Sequence, residues 1–169
     1  MAETTKRRRR RKPDDGEFQD PLKDYSSPDA LESTLVEDEV AHIQVAPFAC
    51  LEPNATVEQV MSRMAELDVA CLLIVENDYL LGIVSERDIL MHVAEDFESS
   101  RHRPVREFMT LDPESVYEND SPAKAMYLMS VKGFRHVPIL DVDDHVVGIV
   151  GPKRVITYLK RMFDESPAE

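Results

Sequence analysis

The chain has 169 residues, of which 43% are hydrophobic, and carries a net charge of −13; that is enough apolar material for one domain or a pair of small repeats, and it excludes a wholly disordered chain. No window reaches the roughly 18–20 uninterrupted apolar residues that cross a bilayer, and no apolar segment follows the N-terminal arginines, so neither a membrane span nor a secretory signal is expected. Cys50 and Cys71 lack CxxC spacing and a nearby histidine pair, which argues against a disulfide framework or a zinc site and makes a reducing cytoplasm the expected setting.

Residues 1–12 hold seven Lys or Arg against one Glu, which leaves −19 on the remainder. So acidic a body repels phosphate backbones, and any nucleic-acid contact is confined to the run Arg7–Arg11. The other functional readings of that run are nuclear import and an anionic-lipid contact, and against all of them stands a solvated tail that pairs with its own acidic neighbours Asp14, Asp15, Glu17 and Asp20. Residues 1–27 are expected to be disordered. Ser27 as N-cap and Pro28 at the first helical position then open a leading helix over 28–40, with Leu31, Leu35, Val36 and Val40 at helical spacing.

The remainder matches itself. Thr56–Met61 aligns with Ser121–Met126 at an offset of 65, and Leu81-Gly82-Ile83-Val84 aligns with Val147-Gly148-Ile149-Val150 at an offset of 66. Each copy begins with a polar cluster able to cap a helix. An apolar helical face follows, carrying Val57, Val60, Met61, Met64 and Leu67 in the first copy and Ala125, Met126 and Met129 in the second. Next come a short apolar run (71–75; 137–140), a polar turn, a second run ending Gly-Ile-Val, and a closing helix (86–94; 152–163). The pattern predicts an α/β fold of two β-α-β-β-α repeats, over 41–97 and 105–163, with a linker at 98–104 and a tail at 164–169. A unit of about 60 residues leaves a sheet face uncovered, so the repeats should pack on each other around a pseudo-twofold axis. The methionines on the helix faces read as core filling.

The duplicated unit, Gly82-Ile83-Val84-Ser85-Glu86-Arg87-Asp88, Phe108-Met109-Thr110 and Gly133-Phe134-Arg135-His136-Val137-Pro138 together resemble the tandem cystathionine-β-synthase (CBS) domain pair, or Bateman module, over about residues 41–163. The resemblance implies a non-catalytic regulatory module that binds an adenosine nucleotide between the repeats and commonly pairs into a homodimer. No nucleophile and base are placed together, which also argues against an enzyme. No catalytic cofactor is expected, and the ligand class is AMP, ADP or ATP.

Ser85 and Asp88 carry two readings. At a strand-to-helix junction they form a capping box, and the same geometry suits a nucleotide, with a carboxylate accepting from a ribose diol and a hydroxyl donating to phosphate. The resemblance implies Asp88 on the ribose and Ser85 on the phosphate, with Arg87, Arg135 and His136 as further phosphate ligands. Thr110, Glu114, Ser115 and Phe134 fall near the base. Copy two reads Gly151-Pro152-Lys153-Arg154, which keeps a helix start but replaces the ribose acceptor with a cation. Arg154 is expected to fill the vacated space and only one nucleotide to bind per chain. Gly-Pro-Lys-Arg is similar to the degenerate motif in the gamma subunit of AMP-activated protein kinase, which makes Lys153 a phosphate candidate. Helix faces around Ile89, Leu90, Val93 and around Ile156, Tyr158, Leu159 are the expected dimer surfaces. A scaffold that binds no nucleotide is the competing function, and a regulated protein partner is unknown.

Overall fold

The structure is a computed structural model that describes residues 30–43 and 45–165. The basic run, the expected disordered tail and the Ser27–Pro28 helix start lie outside these residues. Among the described residues, no helix is long and apolar enough to cross a membrane.

Helix α1 spans Ala30–Glu37, and a 3-10 turn follows at Val40–His42. The first copy then lays down β1 (Cys50–Leu51), α2 (Val57–Leu67), β2 (Cys71–Glu76), β3 (Tyr79–Ser85) and α3 (Glu86–His92). A connecting segment carries α4 (Phe97–Ser100) and leads to β4 (Thr110–Leu111). The second copy repeats the order as β5 (Val116–Tyr117), α5 (Pro122–Ser130), β6 (Val137–Leu140), β7 (Val146–Val150) and α6 (Pro152–Glu165). The β-α-β-β-α unit therefore occurs twice.

Local chemistry explains the starts and stops. Thr56 caps α2 reciprocally with Gln59: the Gln59 amide donates to Thr56 Oγ1 at 3.2 Å, and the Thr56 amide donates to Gln59 Oε1 at 2.8 Å. Val57, Val60 and Met64 bury one face of this helix, whereas Leu67 at its last turn is 38% exposed. In α5 the cap gives way to Pro122 at the start, and Ala125 and Leu128 form the buried stripe with Met126 and Met129 at its edge. Asn77 and Asp78, both left-handed (φ 51° and 67°), make the tight β2–β3 turn. The longer β6–β7 turn is held by Asp141 Oδ1, which accepts from the amides of Asp143 and His145. This turn accounts for the change of offset from 65 to 66 between the copies.

In each sheet the first strand pairs parallel and the next antiparallel, in the orders β1-β2-β3-β4 and β5-β6-β7. The leading segments cross over. β4, just ahead of the second copy, pairs with β3 of the first, and Val105 is fully buried in the first core. Reciprocally, Val45 accepts from the Ile149 amide of β7, while Leu35, Val40 and Ile43 sit in the second core. Gly82 and Gly148 permit these crossings. A Cβ on Gly82 would lie 2.8 Å from the Thr110 carbonyl oxygen, and one on Gly148 2.7 Å from Val45 Cβ. A third cluster, built on Leu73, Leu80 and Leu140, joins the sheets. On the pseudo-twofold axis the Val146 amide donates to Asp78, and the rings of Tyr79 and His145 stand 4.9 Å apart.

Candidate functional site

Each repeat ends with an antiparallel strand running into a helix, so two equivalent strand–helix junctions face the partner repeat. At the first, Ser85 is extended (φ −123°, ψ 166°) and caps α3. Asp88 Oδ2 accepts from the Ser85 amide at 2.8 Å and from Ser85 Oγ at 2.6 Å, and the Asp88 amide reaches Ser85 Oγ at 3.4 Å. Both bonds to the carboxylate fall on one oxygen. Oδ1 has no protein partner among the described residues, and the side chain is half-buried. The junction thus forms the capping box and retains an acceptor. The Glu86 amide is committed to the Ala70 carbonyl at 3.0 Å, so the helix start keeps few amides for an anion. A phosphate here would depend on side chains.

The other residues singled out from sequence are distributed as follows. Arg87 is exposed on the first turn of α3. Thr110 is exposed on β4, opposite Ile83 in the first sheet. Ser115 is half-buried just before β5, and Glu114 is exposed with its carboxylate 3.7 Å from Lys132 Nζ. Phe134 is 38% exposed and Arg135 is exposed. His136, half-buried, stands against Gly151, where an added Cβ would meet its ring at 2.7 Å. It lines the second junction together with Lys153. Burial lowers the His136 pKa, Arg135 lowers it further, Glu86 opposes, and Arg154 adds to the lowering. The imidazole therefore feels the helix starts of both repeats.

The second junction opens on a cleft of about 590 Å³. Gly151 replaces the serine and Arg154 replaces the acid. The Arg154 guanidinium, at the position that aligns with Asp88 in the first copy, donates to the Ile149 carbonyl at 2.8 Å and to the Pro47 carbonyl. Burial lowers its pKa, yet a guanidinium stays charged at neutral pH. Cys71 shares the wall, and its thiol is pushed up to about 12, chiefly by burial, so it is unreactive near neutrality. Arg161, His42 and Tyr158 also line the cleft; the sequence assigns no role to Arg161 or His42, and it places Tyr158 at a dimer surface. A signal existed: Arg154, Tyr158 and Arg161 are spaced i, i+4, i+7 on one face of α6. Among the described residues, no group of His, Cys, Asp and Glu is arranged to hold a metal ion.

Comparison with known proteins gives a consistent picture. The family model for the CBS domain matches twice, at residues 40–95 and 105–161. The CBS domain-containing protein CBSCBSPB1 of Arabidopsis thaliana is 30% identical over 118 residues, covering 70% of this chain and 21% of its own length. An uncharacterized 17.7 kDa protein of Acidianus ambivalens is 30% identical over 113 residues, with 66% of each chain covered. The chain thus spans about a fifth of the plant relative and two thirds of the archaeal one. Among solved structures, the AcuB protein of Vibrio cholerae superimposes with a TM-score of 0.68 at 26% identity, over 77% of this chain and 98% of its own. Two structures described as AMP complexes share the fold at 21% identity: CBSX2 (TM-score 0.65, 74% and 98% covered) and PAE2072 of Pyrobaculum aerophilum (TM-score 0.64, 73% and 98% covered).

Proposed function

The chain belongs to the CBS-domain family, and from that premise we propose that it is a regulatory module that binds one adenosine nucleotide per chain at the first junction. No catalytic family is indicated. The observation that carries the reading is the contrast at aligned positions: a half-buried Asp88 with one carboxylate oxygen that has no partner among the described residues, against an Arg154 whose guanidinium donates to two carbonyls. A ribose diol needs an acceptor in the first turn of the helix, where the first junction has Asp88 and the second has Arg154. Asp88 holds the diol, Arg87 and Arg135 meet the phosphates, joined by Ser85 when its hydroxyl turns from Asp88 to the ligand, and Thr110, Glu114, Ser115 and Phe134 surround the base. Solved family members in complex with AMP support the ligand class. The partner whose activity changes with occupancy is a protein of unknown identity.

Calorimetric titration with AMP, ADP, ATP, NADH and S-adenosylmethionine tests this reading. One phosphate-bearing adenosine ligand should saturate one site per chain. Asp88→Ala should weaken it about a hundredfold, the loss of two hydrogen bonds to a charged acceptor. If a folded wild type binds none of the five, Ser85 and Asp88 are a helix cap alone.

One feature favours the scaffold reading in that event. Of the helix faces expected at a dimer interface, Ile89, Val93 and Tyr158 are buried within the chain, whereas Leu90 (70%), Met91 (68%), Ile156 (66%) and Phe163 (62%) are exposed on α3 and α6. Association of two chains through these faces is proposed. Sedimentation of Leu90→Asp and Ile156→Asp should give monomers where the wild type gives a dimer.

A further inference from the structure

The charge pattern of the second cleft differs from that of the rest of the molecule. On a chain of net charge −13, Lys153, Arg154 and Arg161 line one cavity together with His136. Among the described residues, no carboxylate lies within ion-pair distance of any of the three cations. Of the nine other described Lys and Arg residues, six (Arg63, Arg101, Arg103, Lys124, Lys132 and Lys160) have a carboxylate oxygen within 3.7 Å, whereas Arg87, Arg106 and Arg135 do not and are exposed.

The carboxylates nearest the cleft do not neutralise it. Asp38 is committed to Tyr158, whose hydroxyl donates at 2.5 Å, and to His42. Asp68, exposed at the end of α2, also lines the cleft but pairs with none of the three cations, and Glu86 is exposed at the start of α3. Arg154 is oriented by two carbonyls, and Arg161 donates to the His42 carbonyl at 3.1 Å with its guanidinium 5.5 Å from the Tyr158 ring centroid. Carbonyl dipoles fix these groups in place but do not cancel their charge. Gly151 and Pro152, at the start of the fourteen-residue helix α6, line the same cavity and add the positive end of its dipole. Phe48, Val69 and Ile149 supply apolar wall, and partial exclusion of water strengthens the attraction for an anion.

We propose that the second cleft is a site for a small, multiply charged phosphate without a nucleoside, of the orthophosphate or diphosphate class. Lys153, Arg154 and Arg161 hold it, with His136 at the inner wall. Arg154 stands where a ribose acceptor would be needed and offers donors only, which turns away a nucleoside and attracts its phosphate. The proposal does not depend on the nucleotide reading of the first junction.

The test is calorimetry on the full chain with sodium diphosphate and sodium orthophosphate in parallel, at low and high sodium chloride. One anion should bind per chain, more weakly as salt rises. Lys153→Gln and Arg161→Gln, both on exposed residues, should each weaken binding about tenfold, the loss of one charge-assisted contact. Far-UV circular dichroism confirms that these variants fold. Asp88→Ala and saturating AMP should leave the anion's affinity unchanged. Four results would overturn the proposal: no binding of either anion, binding indifferent to both substitutions, binding lost with Asp88→Ala, or displacement of the anion by AMP. Failure of AMP to bind would overturn only the nucleotide reading.

Discussion

The two junctions have the same architecture and opposite chemistry. Each ends an antiparallel strand, starts a helix and faces the other repeat, yet one presents Ser85 and Asp88 and the other Gly151 and Arg154. A helix start tolerates either pair, because Gly or Ser can precede it and Pro fits its first turn. Fold and ligand choice are therefore separable here, and the change of one side chain from acceptor to donor redirects a cleft without altering the backbone that carries it.

The strongest way to break the comparison is to make the junctions alike. Asp88→Arg should abolish nucleotide binding, with a loss of at least about a hundredfold in calorimetry, because acceptor becomes donor and the space is filled. If nucleotide still bound, the contrast would carry no functional meaning. The shared architecture is probed next. Gly148→Ala forces a methyl against Val45 and Gly82→Ala forces one against the Thr110 carbonyl, so each should cost about 1–3 kcal/mol in denaturant unfolding. A large effect at only one glycine would mean that the crossings are not equivalent.

Arg135→Ala separates phosphate from nucleoside recognition. It should weaken AMP about tenfold and leave adenosine unaffected. The smallest expected effect is a pH response. Burial lowers the folded-state His136 pKa below its ordinary value, so the unfolded chain takes up a proton first. This contribution to stability is intact above about pH 6.5 and is lost as pH falls below it. Thermal melts of His136→Asn should show a flatter profile across that window than the wild type. An equal slope in both proteins would assign the response to another group.

Much of this was legible in one chain compared with itself. The offsets of 65 and 66 locate both repeats, and the Gly-Ile-Val runs mark β3 and β7, because a strand buried on one face leaves a dense apolar signature. Alignment of Asp88 with Arg154 exposes the asymmetry of the junctions before any coordinates. The crossings were not legible, since strands as short as β4, or a single residue such as Val45, have no periodicity and take their partners from tertiary packing. Nor was the position of His136. The sequence places it beside Arg135, but the two are neighbours on a strand entry and diverge, so Arg135 is exposed and His136 lines the second cleft. The sequence does not bring Arg161 and His42 together at that cleft, because they reach it from elements far apart in the chain.

The reciprocal crossing also sets the smallest heritable unit. β4 completes the first sheet from the threshold of the second copy, and Val45 borders the second sheet from the threshold of the first. A gene cut between the copies at 98–104 would strip each half of an edge and of core residues, Val105 from one and Val40 and Ile43 from the other. Neither fragment is a domain by itself. Duplication here produced a single cooperative object, one that a later deletion cannot divide back into two working copies.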